Sequence, residues 1–102
     1  MIEISQLDNS YFSEENFVNI GDLIGPLMCM ASEKEIPDDM PLVYLIFKFA
    51  VGGMKCTNGN LRVLLCDLDG CFIWTEIHVS TIEYIQSLPK SDQDRFDKWL
   101  TD

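Results

Sequence analysis

Two dipeptides, Asn58-Gly59 and Asp69-Gly70, constrain this chain more than any other feature, because each suits the positive φ angles of a tight hairpin turn. Together they divide the centre of the chain into three runs of strand length. Leu42 to Val51 is dense in aromatic and branched residues on both faces, which predicts a central strand covered on both sides. Gly52-Gly53 then bends or bulges that strand before the first turn. A second strand is expected from about Leu61 to Asp67. In the third, Cys71, Ile73, Thr75, Ile77 and Val79 alternate with Phe72, Trp74, Glu76 and His78. The pattern predicts a three-stranded antiparallel meander over about 42–79, with Asn58-Gly59 read as a type I′ turn.

Helical spacing appears on either side of this centre. Phe17, Ile20, Ile24, Leu27, Met28 and Ala31 recur at the interval of an amphipathic helix, or of two short ones separated near Gly25-Pro26. The better-formed piece is expected to begin between Asp22 and Gly25 and to finish before Pro37. Met28, Met30 and Met40 are read as core fillers. After the meander, Ser80 stands three residues before Glu83 and Ser91 three before Asp94, so each serine is a candidate N-cap. The stripes Ile82, Ile85, Leu88 and Phe96, Trp99, Leu100 then predict two short C-terminal helices packed on the sheet. Ile2 and Ile4 offer a further N-terminal edge strand. The expected class is α+β, in one domain spanning residues 1–102.

With 47% hydrophobic and 24% charged residues, the 102-residue chain has the balance of an ordinary globular domain. Its start lacks the basic and long apolar regions of a secretory signal, which predicts a cytoplasmic protein. Cys29, Cys56, Cys66 and Cys71 contain no C-x-x-C pair and sit in apolar runs, so buried reduced thiols are expected. The net charge of −10 is unevenly placed. Residues 1–47 hold nine acids against Lys34 alone, and residues 48–102 hold eight acids against six bases. That field repels nucleic acid and anionic lipid and speeds encounter with a basic protein.

Candidate chemistry is sparse. Leu64-Leu65-Cys66-Asp67-Leu68-Asp69-Gly70 resembles the first motif of haloacid-dehalogenase-type phosphatases, in which Asp67 would be nucleophile and Asp69 general acid beside magnesium. That family sets the motif at the end of a parallel strand in a much longer domain. Here only 32 of 102 residues follow Gly70, and Cys71 stands where the family has a hydroxyl. The hairpin reading of Asp69-Gly70 is therefore preferred. Asp67 and Asp69 do not make an EF-hand, since the twelfth position is His78. His78, the lone histidine, is read as structural or surface. Strand aromatics Tyr44, Phe47, Phe49, Phe72 and Trp74 lack the basic surrounding that a base-stacking RNA reader needs. No catalytic residue, metal or cofactor is expected, and neither direct nucleic-acid nor membrane binding.

A small, acidic α+β chain without an active-site motif resembles the immunity proteins of bacterial contact-dependent growth inhibition systems. The likeness lies in size, charge and pattern across the whole chain. It implies a cognate toxin nuclease domain, often one acting on transfer RNA, that the immunity protein binds and neutralises stoichiometrically. On that resemblance Glu14, Glu15, Asp22, Glu33, Glu35, Asp38 and Asp39 would pair with toxin Lys and Arg groups, and Tyr11 and Phe12 would be aromatic anchors. The alternative for the two aromatics is packing at the core edge. The competing functional readings are a phage-type nucleic-acid mimic that blocks a nuclease, a non-inhibitory adaptor subunit, and, remotely, a small phosphatase built on Asp67 and Asp69.

Overall fold

The structure, a computed structural model, describes residues 4–31 and 36–101. The order of its regular elements is α1 (Ile24–Met30), α2 (Leu42–Phe49), β1 (Ala50–Lys55), β2 (Leu61–Cys66), β3 (Phe72–Ile77), α3 (Val79–Gln86) and α4 (Lys90–Thr101). The strands form one antiparallel sheet in the order β1-β2-β3. The class is thus α+β with a three-stranded meander, and the two short C-terminal helices are present.

The meander begins later than the sequence pattern predicts. Leu42–Phe49 is a helix, not the first half of a strand, and the chain passes from Phe49 directly into β1. A short run that is apolar in every direction has no period with which to distinguish a strand from a helix buried on all sides. The second is realised here: Val43, Tyr44, Leu45, Ile46 and Phe47 are all buried. Pro41, in extended conformation, precedes the first turn, and its carbonyl accepts from the Tyr44 amide. The sheet explains the choice. Leu61, Val63 and Leu65 stand opposite Ile77, Thr75 and Ile73, forming one apolar face that a further strand would leave bare. α2 packs on that face, with Leu23, Leu27, Ile85 and Phe96 completing the main core. The Tyr44 and Phe96 rings meet 5.1 Å apart.

The opposite face carries Leu64 and Trp74 in register, beside the Arg62–Glu76 pair. It is covered by the N-terminal segment, which runs as a strap with 3₁₀ turns at Asn9–Tyr11, Glu14–Asn16 and Ile20–Leu23. The strap pairs with each edge of the sheet at one isolated bridge. At β1, the Leu7 amide donates to Gly53 O (2.7 Å) and the Gly53 amide to Ser5 O (2.9 Å). At β3, the Val18 amide donates to Trp74 O (2.9 Å), and between these points Phe12 seats against Leu64 and Trp74. Unpaired sheet edges template aggregation, and here each edge is interrupted midway by the strap. The N-terminal edge pairing therefore exists as an isolated parallel bridge at Gln6 and Gly53; Ile2 lies outside the described residues.

The strap reaches β1 because two glycines let it. A Cβ on Gly52 would lie 2.5 Å from Leu7 Cδ1 on the strap, and one on Gly53 would lie 3.2 Å from Ile4 Cγ2 on the strap and 2.8 Å from the Arg62 carbonyl oxygen on β2. The bulge anticipated there is a register shift between Ala50 and Gly52.

Other local expectations change in detail. Neither hairpin uses a type I′ turn. The only positive φ angles among the described residues belong to glycine, at Gly59 (91°) and Gly70 (82°). Each turn closes as a three-residue loop with glycine last, through Gly59 N to Cys56 O and Gly70 N to Asp67 O. The helix caps also shift. His78, not Ser80, caps α3: its Nδ1 accepts from the Ser80 amide at 3.0 Å. α4 begins at Lys90, with the Asp92 and Gln93 amides donating to Pro89 O, so Ser91 lies inside the first turn. The thiols are free, but none is fully buried, and Cys29 and Cys71 are exposed because they fall on an outer helix face and a hairpin end. Met28 is likewise exposed, and Phe17 leaves the helical stripe to join the strap. The side chain of Leu100 lies outside the described residues.

The Gly53 contact is with backbone, which cannot rotate away. Gly53→Ala is expected to cost about 1–3 kcal/mol, whereas Gly21→Ala, where a Cβ meets nothing within 4 Å, should stay within about 0.5 kcal/mol of the parent. Urea midpoints of the two variants measure this; equal midpoints would contradict the close approach of β1 and β2 at Gly53.

Candidate partner-binding surface

Trp74 organises the exposed side of the strap. Its indole Nε1 donates to Ser13 O at 2.6 Å. Phe12 meets the ring edge-on at 5.7 Å, and Phe17 meets it at 4.8 Å. Phe12 and Trp74 are buried, but Phe17 remains 42% exposed. Phe17 and Trp74, with Glu14 from the strap and Glu76 from β3, line an open groove of about 430 Å³. Aromatic rings between carboxylates make a surface suited to a cation. The chain already supplies one such cation: the Arg62 guanidinium lies 5.1 Å from the Trp74 ring centroid, and its Nε is 3.2 Å from Glu76 Oε1.

Glu76 is thereby committed to the fold. Its Oε2 accepts from Asn60 Nδ2 at 2.9 Å, and Asn60 Oδ1 accepts from the Val79 amide, tying the hairpin to the start of α3. The Asn60 hydrogen bond, opposed by partial burial and assisted by Arg62, holds the Glu76 carboxyl below its ordinary range. Glu14 is different: its carboxylate has no hydrogen-bond or ion-pair partner among the described residues.

The sequence-predicted contact residues divide accordingly. Tyr11 is 47% exposed, and Glu14 and Glu15 stand exposed on the same strap. Phe12 is 6% exposed, so it takes the core-edge role instead of offering an anchor; the second face of the sheet needed a plug beside Trp74. Phe17, assigned from its spacing to a helix face, is the exposed ring beside Glu14. The signal that could have found it is Trp74, a large residue on the strand face opposite Val63 and Leu65, which implies a cover with an aromatic partner. Asp22 and Asp38 are exposed farther along the chain. Asp39 is exposed but paired: Arg95 donates to its two oxygens at 3.0 and 2.6 Å, and this holds its carboxyl below the usual range. Glu33 and Glu35 lie outside the described residues.

A second, more apolar groove of about 350 Å³ opens between α1 and α2. Ile24 and Met28 form one wall and are 52% and 55% exposed. Asp38 stands at its border.

Of the residues considered for catalysis, Asp67 and His78 have structural work. Asp67 Oδ1 accepts from the Asp69 and Cys71 amides at 2.9 and 2.8 Å, building the second hairpin turn. His78 caps α3 and contacts Ser80 Oγ at 2.8 Å. Among the described residues there is no group of three metal-capable side chains and no helix long and apolar enough to cross a membrane. Comparison with protein-family models, curated proteins and solved structures finds no match to this chain.

The Glu76 network sets a pH dependence. A carboxyl whose folded-state pKa is depressed contributes stability that is present above its ordinary value, 4.5, and lost as pH falls through the folded value. Glu76→Gln should therefore lower stability near neutral pH, with the gap to the parent narrowing between about pH 5 and pH 3. Urea unfolding across that range measures the gap; one independent of pH would contradict the assignment.

Proposed function

We propose that this protein is a stoichiometric inhibitor of a basic nuclease, of the kind formed by an immunity protein and the toxin domain it neutralises. The observation that carries the reading is the Glu14 carboxylate, without an ion-pair partner among the described residues, in a groove walled by Phe17 and Trp74 on a chain of net charge −10. Such a groove suits a lysine or arginine that would otherwise hold a nucleic-acid phosphate. Glu15 extends the negative surface, and Tyr11 on the same strap offers apolar area beside it.

Energetics assign the parts different tasks. Exposed carboxylates add little affinity as single ion pairs, about 0–1 kcal/mol each, but raise the association rate by steering a basic partner. An aromatic group that becomes fully desolvated in the complex slows dissociation. Phe17 suits the second task and Glu14 and Glu15 the first. The toxin reading also rests on the overall likeness in size, acidity and α+β pattern to immunity proteins. A transfer-RNA nuclease is the substrate class that this likeness implies for the partner.

Affinity capture from the source cell, followed by titration of the captured protein's ribonuclease activity, tests the proposal. Activity should fall linearly with added inhibitor and vanish at one equivalent. Glu14→Lys with Glu15→Lys should slow association about tenfold at low ionic strength, with a smaller effect at high salt. A captured partner whose activity is unchanged at saturation would overturn inhibition and favour an adaptor.

A further inference from the structure

The groove between α1 and α2 has a composition that neither the core nor the Trp74 surface accounts for. Ile24 and Met28 lie one helical turn apart, so they share a face of α1, yet both are more than half exposed. Facing them are Ile36 and Met40 from the turn before α2, and Leu42 and Leu45 from α2 itself. Six aliphatic or thioether side chains thus line one open depression. Two are methionines, whose unbranched, polarizable side chains adapt to varied apolar partners.

The depression has a fixed frame. Met40 N donates to Pro37 O at 3.1 Å, and the two-pronged Arg95–Asp39 contact ties this turn to α4. α1 is held from beneath by buried Leu23, Leu27 and Ala31. Asp38 borders the groove and Asp22 is exposed just before Ile24, and among the described residues that line it there is no lysine or arginine. Neither Asp22 nor Asp38 has an ion-pair partner among the described residues.

We infer that this groove is a docking site for an amphipathic segment of a partner protein, with aliphatic side chains seated between Ile24, Met28 and Met40 and flanking lysine or arginine residues set against Asp22 and Asp38. Charge selects this occupant. A second copy of the chain would bring the same acids against one another at a net charge of −10 per chain, and an anionic lipid surface would be repelled. Recognition of this form uses aliphatic residues at helical spacing on the incoming segment. It does not depend on the partner being a nuclease, so its test uses neither a toxin nor an enzymatic assay.

The probe is a synthetic amidated peptide of leucine and lysine, with leucines at the i, i+3, i+4 and i+7 positions of a helix. It is titrated into the full-length protein while the Met and Ile methyl signals are followed by NMR. Shifts should concentrate on Ile24, Met28 and Met40. Met28→Ser, at an exposed position that leaves the core intact, should weaken binding about tenfold; Ile24→Ser is a second variant of the same kind. Asp38→Asn should reduce affinity at low salt only. A peptide of the same charge with serine in place of leucine should not shift these methyls. The inference fails if the serine peptide produces the same pattern, if the shifts spread over the acidic surface, or if Met28→Ser binds as tightly as the parent. Concentration-dependent shifts of these methyls without peptide would also overturn it, in favour of self-association.

Discussion

The seating of the N-terminal strap on Trp74 is the contact on which the rest of the architecture depends. A three-stranded sheet has two faces and two edges, and α2 with its neighbouring helices covers one face alone. Trp74 recruits the strap through ring contacts with Phe12 and Phe17, an indole hydrogen bond to Ser13 O and a backbone bond to Val18. Burial of residues of this kind contributes about 1.5–3 kcal/mol per side chain. The Arg62–Glu76 pair on the same face is about one-third exposed on both sides, so its share is nearer the 0–1 kcal/mol of a surface ion pair. Apolar packing at Trp74 therefore holds the strap, and the charges define its border.

This division explains which features were legible in the sequence. The hairpins were, because glycine after Asn58 and Asp69 marks the only positions of positive φ among the described residues. The alternation of β3 was also readable, whereas the register that sets Trp74 opposite Leu64 came with the structure. α2 was not: Leu42–Phe49 has strand-forming residues and no clear period, and its helical state follows from the sheet's need for a cover. The strap was harder still, since its 3₁₀ turns have no repeat and its apolar plugs, Leu7 and Phe12, are isolated in polar sequence. Large residues at alternate positions on both faces of β2 and β3 are the physical sign that a second cover is required.

The candidate surface was partly legible for the same reason. Acidic residues on the strap could be expected to face solvent, and Glu14 and Glu15 do. Which aromatic stays exposed could not be read from composition, because it depends on the path of the strap: Phe12 turns under Trp74, while Phe17 passes along the edge of β3. Asp39 looked equivalent to Asp38 until the fold brought Arg95 from α4 against it. The acidic half of the sequence consequently serves two regions, an aromatic surface on the strap and an aliphatic groove at α1. Both combine negative charge with apolar area, the pairing expected where a basic protein partner docks.

Native-state hydrogen exchange at the amides of Leu7, Gly53 and Val18 tests the role of the strap most directly. These three groups donate across the two sheet edges to Gly53, Ser5 and Trp74. If the strap is an integral part of the fold, they exchange with protection close to that of the β2 amides, and Trp74→Leu lowers the protection of Val18 more than that of β2. Exchange of all three at rates typical of an unstructured segment would contradict the account and leave the sheet with one covered face.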